Sequence, residues 1–241
     1  MKGIILAGGS ATRLRPLTWV TSKQLLPVYN KPMIYYPIET LVKAGIKEIL
    51  IIVSPEFAGH YLNLLGTGKE FGAQFSFVVQ PNPGGLAEAF IYGKDFIDED
   101  NVTLILGDNI FDHDFSDQIK NFKRGAKIYA KEVHDPERYG VVNFDEKMNA
   151  VTIEEKPQKP KSNYAVVGLY TYDNRVVKFV EKQKRSDRGE LEITDLNNIY
   201  LEKGELSVDV IEGIWEDAGT FDSLLRAANL MAGKIAVSHK K

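Results

Sequence analysis

Residues 2–18 read KGIILAGGSATRLRPLT, and no other stretch restricts the possible folds of this chain so strongly. The apolar run Ile4-Ile5-Leu6 predicts a strand buried on both faces. It passes directly into Gly8-Gly9, then a small polar turn, then Arg13 and Arg15. Adjacent glycines let the backbone turn sharply and bring its N–H groups onto an anion with no Cβ in the way. The arginines add fixed positive charge with donors suited to phosphate oxygens. A core strand opening into a basic, glycine-rich loop therefore reads as a polyphosphate cradle in an α/β protein. It is neither of the two commonest cradles. G-x-G-x-x-G fails because Gly9, Ser10, Ala11 and Thr12 follow Gly8, and no Gly-Lys pair supplies G-x-x-x-x-G-K-[ST].

The remainder of the first half repeats the theme. Strands are expected at 48–53, 74–80 and 102–106, and helices at 33–45, 56–65 and 86–97, with Pro37 early in the first helix or kinking it. Unbroken apolar strands alternating with helices predict a three-layer, predominantly parallel, Rossmann-like sheet flanked by helices. Ligands of such sheets sit beyond the carboxyl ends of the strands, where Gly8, Gly9, Gln80 and Asp108 fall. The second half reads differently. Strands at 126–132, 140–144, 151–155 and 164–172 follow one another closely, so this part of the sheet is expected to be mixed. Thr194 is expected to start a helix ending at Gly204, and Thr220 one ending near Gly233. The chain's 241 residues are read as one domain, with a nucleotide half over about 1–125 and a second-substrate half over about 126–241.

Composition narrows the function. A formal charge of −3 argues against a general nucleic-acid surface. No apolar run approaches the roughly 20 residues that span a membrane, so no membrane partner is expected. The chain opens on Met-Lys-Gly and a core strand, which reads as having no signal peptide. The absence of cysteine excludes disulfides and thiolate zinc sites and fits a cytoplasmic protein.

Two carboxylates follow apolar strands: Asp108 in LILGDN and Asp217 in IWEDAGT. Carboxylates so placed can hold Mg²⁺ on substrate phosphates, since that ion takes one or two protein carboxylates and fills its octahedron with water and phosphate oxygens. Each could equally serve a turn or a helix cap. Asp112, Asp114 and Asp117 are read as solvated loop or helix-start residues. Basic residues fall in three patches: Arg13 with Arg15 and Lys23, Lys156 in EEKP, and Arg188 in DRGELEIT. A carboxylate beside an ammonium, as at Glu155-Lys156, suits a sugar phosphate.

The opening loop resembles the L-A-G-G-x-G-T-R-L loop of sugar-1-phosphate nucleotidyltransferases, with Ala11 where that pattern has glycine. If this residue needs positive φ, alanine costs about 1 kcal/mol or somewhat more. SKQLLPVYNKPMIYYP, GDNIF, DPERYGVV, EEKPQKPKSNYAVVGLY, RGELEITD and DAGTFDSL follow in order. Together they are similar to the glucose-1-phosphate thymidylyltransferase family, from residue 2 to about 232. The resemblance implies that dTTP and α-D-glucose 1-phosphate give dTDP-glucose and pyrophosphate with Mg²⁺, opening dTDP-rhamnose-type deoxysugar synthesis, in a homo-oligomer (dimer or tetramer).

By the same resemblance Gly8, Gly9, Arg13, Lys23 and Gln24 would hold the triphosphate, and Gln80 and Gly85 the pyrimidine edge. Asp108 and Asp217 would bind the metal. Asn109, Tyr139, Gly140, Glu155, Lys156, Val167, Tyr170 and Arg188 would line the glucose 1-phosphate site. Arg13, Lys23, Asp108, Lys156 and Asp217 would carry catalysis. Gln80 can pair with thymine or uracil, and after an amide flip with cytosine, so UTP or another sugar phosphate stays open. So does a non-catalytic nucleotide sensor. An NAD-binding oxidoreductase would require the missing G-x-G-x-x-G. Longer members of the family carry further helices that help form a second nucleotide-sugar site. The eight residues 234–241 are too few for such a pair, so feedback by dTDP-rhamnose is expected to be weak or competitive at the active site, the alternative being a site formed between subunits from surfaces outside the tail.

Overall fold

The computed structural model describes residues 1–9 and 11–238, with side chains at the carboxyl end described as far as Lys234. The strands are β1 (Lys2–Ala7), β2 (Pro27–Val28), β3 (Lys31–Pro32), β4 (Glu48–Val53), β5 (Gln74–Val79), β6 (Val102–Leu106), β7 (Asn109–Phe111), β8 (Ala126–Glu132), β9 (Gly140–Phe144), β10 (Ala150–Glu155), β11 (Tyr164–Tyr172), β12 (Leu206–Val210) and β13 (Trp215–Asp217). The α-helices are α1 (Tyr35–Lys43), α2 (Ala58–Leu65), α3 (Ala89–Tyr92), α4 (Lys94–Ile97), α5 (Ser116–Asn121), α6 (Val176–Val180), α7 (Ile193–Glu202) and α8 (Phe221–Ser238).

One nine-stranded sheet runs through both halves of the chain in the order β10-β9-β11-β6-β1-β4-β5, with β8 on the other side of β11 and β12 beyond it. β6, β1, β4 and β5 are parallel, and the first three are the apolar runs expected of strands buried on both faces. One face is covered by α1, α2 and α5, with Ile38, Leu41, Tyr61 and Ile119 packed on Ile5 and Ile51. The other is covered by α3, α6 and α7, with Phe90, Val176, Leu196 and Tyr200 packed on Ile4 and Leu104. The second half is antiparallel around β11, except that β12 joins β8 in parallel.

β11 forks the sheet. Its later residues, Leu169–Tyr172, pair with β6, whereas on the same side Ala165 pairs with Val141 of β9. The space between the end of β6 and the start of β9 is thereby left open at Val166 and Gly168. This is the floor of the cleft described below.

Four expectations need correction. The helix expected over 86–97 is a 3₁₀ turn, Leu86–Glu88, followed by α3 and α4 and interrupted at Gly93. A Cβ at Gly93 would lie 2.7 Å from Ile4 Cδ1, so the break sits where the chain packs hard on β1. Thr194 does not cap its helix. α7 begins one residue earlier, and the Thr194 hydroxyl donates to Glu155 Oε2 instead (2.7 Å). The last helix passes Gly233 and continues to Ser238, while its start at Thr220 is capped as expected, with Ser223 N–H bonded to the Thr220 hydroxyl (3.2 Å). β12, with alternating half-exposed residues, was not anticipated.

Candidate active site

Asp108 sits in the turn between β6 and β7, and Asp217 ends β13. β13 pairs with β7 so that Asp217 stands opposite Asn109, and Ala218 N–H bonds to Asp108 C=O (3.0 Å). Two carboxylates 109 positions apart are thus brought together by a short antiparallel ladder. The Lys23 ammonium forms an ion pair with Asp108 Oδ2, and Asn109 Nδ2 donates to Asp108 Oδ1 (3.1 Å). Asn109 is itself braced, because its Oδ1 accepts from Trp215 Nε1 (2.6 Å) and Gly168 N–H (3.1 Å).

The two carboxyls are electrostatically unlike. Burial would raise the pKa of Asp108, but the Lys23 charge and hydrogen bonds to it outweigh that and hold it below the usual range. At Asp217 burial and the neighbouring Asp108 carboxylate push the pKa up to about 7, against Lys23 and Arg13. Asp217 Oδ1 is buried and has no hydrogen-bond partner among the described residues. A Cβ at Gly219 would lie 2.9 Å from both that oxygen and Arg13 Nη2, so glycine there keeps the guanidinium close to the carboxyl. A buried, unpartnered carboxylate oxygen beside a second carboxylate fits a hard divalent cation. Among the described residues no group of three or more acidic or histidine side chains is placed to hold a metal ion by itself, and Mg²⁺ can take its remaining ligands from substrate and water. Asp112 and Asp114 are engaged elsewhere, in ion pairs with Lys234 (2.6 Å) and Lys43 (3.0 Å).

The positions assigned to the triphosphate and base lie on the carboxyl side of β1, β5 and β6. Gly9 has φ +104° and open space around its Cβ position. Ala11 has φ +44°, a left-handed conformation, and precedes the 3₁₀ turn that carries Arg13. Gln24 is buried, its Oε1 accepting from Ser22 Oγ (2.8 Å) and Tyr61 OH (3.1 Å), while its Cγ fills the space that a side chain at Gly107 would need. Gln80 extends β5 by one residue and places its Oε1 3.1 Å from the Cβ position of Gly8. Gly85 has φ +102° and leaves no room for a Cβ against the Leu191 backbone.

Beyond the carboxylates a cleft of about 440 Å³ opens over the fork in the sheet. Arg13, Asp108, Asn109 and Asp217 form one end, and Gly140, Glu155, Lys156 and Arg188 the other, with Tyr139, Tyr170 and Trp215 as apolar wall. Glu155 Oε1 lies 3.4 Å from both Lys156 Nζ and Arg188 Nη2. Lys156 takes φ +43° directly before Pro157, a conformation outside the ordinary choices for lysine. Burial holds the Tyr170 hydroxyl far above its ordinary pKa, so it stays protonated.

The fold therefore gathers most of the residues singled out from sequence. Gly8, Gly9, Lys23, Gln24, Gln80 and Gly85 lie off the cleft lining. Val167 is the exception among the proposed wall residues. Strand alternation turns its side chain into the opposite core with Leu169, while Val166, Gly168 and Tyr170 face the cleft. Sequence reasoning missed Arg138, Glu192, Thr194 and Trp215 in the lining, and Glu88 with Arg185 behind Gln80. Glu88 had a signal: it is a lone charge within the apolar GGLAEAF.

The family described as "Nucleotidyl transferase" matches residues 2–234. Glucose-1-phosphate thymidylyltransferase of Neisseria meningitidis is 56% identical over 237 residues, covering 96% of this chain and 82% of that one. The enzyme of the same name from Mycolicibacterium smegmatis is 52% identical, with the same coverage. Among solved structures, a Bacillus anthracis protein assigned as a glucose-1-phosphate thymidylyltransferase, in complex with sucrose, superposes with a TM-score of 0.91 at 48% identity, covering 95% of this chain and 94% of its own. A UDP-glucose pyrophosphorylase bound to UDP-glucose shares the fold, with a TM-score of 0.85 at 24% identity over 97% of this chain and 98% of its own. With the family match spanning almost its whole length and relatives about half identical to it, this chain belongs to the nucleotidyl transferase family, among the glucose-1-phosphate thymidylyltransferases.

Proposed function

We propose that this protein joins dTTP and α-D-glucose 1-phosphate to give dTDP-glucose and pyrophosphate, the entry step of dTDP-rhamnose-type deoxysugar synthesis. The observation that carries this reading is the two-ended cleft. A carboxylate pair with Arg13 stands at one end, with Lys23 paired to Asp108 behind it, and Glu155, Lys156 and Arg188 stand at the other. The names of the relatives favour the same substrates.

A sugar-phosphate oxygen attacks the α-phosphorus in line, a new P–O bond forms, and the bond to the bridging oxygen of the β-phosphate breaks. The nucleophile is already charged, so no general base is needed. Crowded negative charge is the obstacle, and positioning with electrostatic stabilisation is the remedy. Arg13 holds the leaving pyrophosphate, with Gly8, Gly9 and Gln24 in the same cradle and Lys23 near the reacting phosphates. Lys156 and Arg188 place the incoming phosphate, while Glu155 accepts sugar hydroxyl protons and Asn109, Tyr139, Gly140 and Tyr170 bound the sugar. Asp108 and Asp217 would hold Mg²⁺, which when bound supplies positive charge to phosphate oxygens. We also take the protein to be a cytoplasmic homo-oligomer. Among the described residues no helix is long and apolar enough to cross a membrane.

The test is pyrophosphate release across a panel of nucleoside triphosphates and sugar 1-phosphates. Highest kcat/KM with dTTP and glucose 1-phosphate supports the reading. Preference for UTP or another sugar would move the assignment within the class, and no release with any pair would overturn it.

A further inference from the structure

Behind Gln80 lies a buried polar chain that the transfer reaction does not use. Gln80 Nε2 donates to Glu88 Oε2 at 2.6 Å. Glu88 Oε1 accepts from Arg185 Nη2 at 2.7 Å. Arg185 is tied down in turn by Gly84 C=O (3.1 Å) and Gly189 C=O (2.9 Å). Gln80 and Glu88 are both buried, at 5% and 7% exposure, so water does not substitute for these partners. The chain joins the end of β5, the turn before α3 and the loop that precedes α7.

An amide has a two-fold ambiguity, because exchanging its oxygen and nitrogen barely alters its shape. An ionised carboxylate has none, because it only accepts. With Glu88 paired to a guanidinium and facing Gln80, only the nitrogen of Gln80 can point at it. The flipped amide would set two acceptors 2.6 Å apart in a buried site. Gln80 Oε1 is thereby held on the Gly8 side, and the other Nε2 hydrogen has no partner among the described residues.

We infer that Glu88 is a positioning residue for base selection: it fixes the Gln80 amide so that the protein accepts 4-oxo pyrimidines and rejects 4-amino pyrimidines. This rests on the reading that Gln80 meets the base. The locked edge offers an acceptor and then a donor. Thymine and uracil match it with N3–H and O4. Cytosine offers an acceptor at N3 and donors at N4, and clashes at both positions unless the amide flips. Arg185 completes the lock by preventing the carboxylate from turning away.

The experiment measures kcat/KM for pyrophosphate release with dTTP, dUTP and dCTP at fixed glucose 1-phosphate, for the unaltered protein, Glu88→Gln and Arg185→Met. Circular dichroism confirms that each variant is folded. Glu88→Gln keeps the shape but lets residue 88 donate or accept, so the dTTP:dCTP ratio should fall tenfold or more while dTTP:dUTP holds steady. Arg185→Met removes the guanidinium at a half-exposed side chain, and should lower the same ratio by a smaller factor. An unchanged dTTP:dCTP ratio in both folded variants, or equal losses with all three triphosphates, would overturn the inference. Failure of the unaltered protein to use dTTP would instead overturn the assigned reaction.

Discussion

At the scale of single residues, the site combines strain with charge. Ala11 adopts φ +44° at the mouth of the phosphate loop. A left-handed conformation costs a non-glycine residue about 1–2 kcal/mol, of which glycine's extra freedom in the unfolded chain takes back about 0.4–1. Ala11→Gly should therefore stabilise the protein by about 0.5–1 kcal/mol, a rise of about 1–4 °C in Tm. A lower Tm would mean that the loop tolerates alanine without strain. Asp217 stores charge differently. With its pKa pushed up to about 7 it is part-protonated around neutral pH, and a cation must displace that share of proton to be ligated. Mg²⁺ affinity should then fall as the pH drops below that value, and calorimetry in buffers of unlike ionisation enthalpy should show proton release that Asp217→Asn abolishes. Asp108→Asn and Asp217→Asn should each lower kcat by about 10²-fold or more with the circular dichroism spectrum intact, since charge stabilisation by a metal is worth several kcal/mol. Near-normal kcat at saturating Mg²⁺ would remove the altered residue from the metal site.

At the scale of elements, the two ends of the cleft come from different segments, and they should fail differently. Arg13 rides on the 3₁₀ turn after the loop, and Lys156 immediately follows β10. Arg13→Ala should raise the KM for the triphosphate and Lys156→Ala the KM for glucose 1-phosphate. A charge-assisted phosphate contact is worth about 1.5–3 kcal/mol, so a change of tenfold or more is expected in each. If Lys156→Ala raised only the triphosphate KM, the assignment of the ends would be reversed. Elements with a strong local period were legible beforehand: β1, β4 and β6 are apolar runs, and α8 starts at its Thr220 cap. Elements set by distant partners were not. β12 exists because β8 offers an edge, and the break at Gly93 exists because Ile4 packs there. The same division holds within the site. Carboxylates at strand ends could be read from position, whereas Trp215 and Thr194 reach the cleft only because β13 meets β7 and α7 crosses β10. That the Val167 side chain points away from the cleft could not be read beforehand, because a strand buried along nearly its whole length hides which of its faces meets the ligand.

At the scale of the whole molecule, one buried carboxylate adds a polar tie to the apolar packing that holds the helices on the second half of the sheet. Asp173 follows β11 and is 5% exposed. Its oxygens accept from Gly125 N–H (2.8 Å) just before β8, from Arg175 Nε (2.9 Å) at the start of α6, and from Tyr200 OH (3.0 Å) on α7. Burial alone would raise its pKa. The bonds from Arg175, Gly125 and Tyr200 outweigh it and hold the carboxyl below its ordinary value. The sign of the linkage follows. A depressed folded-state pKa contributes stability that is fully present above the unfolded value of about 3.9 and is lost as the pH falls through the lower folded value. Asp173→Asn removes the charge but keeps the shape, and should cost about 1.5–3 kcal/mol at neutral pH, where charged hydrogen bonds carry that worth. In acid the deficit should shrink, because the unaltered protein must protonate the same group. Urea unfolding at pH values well above and well below the carboxylate range measures this directly. A deficit that stays constant between the two would show that Asp173 acts through its shape alone, and that acid unfolding of this protein begins at another carboxylate.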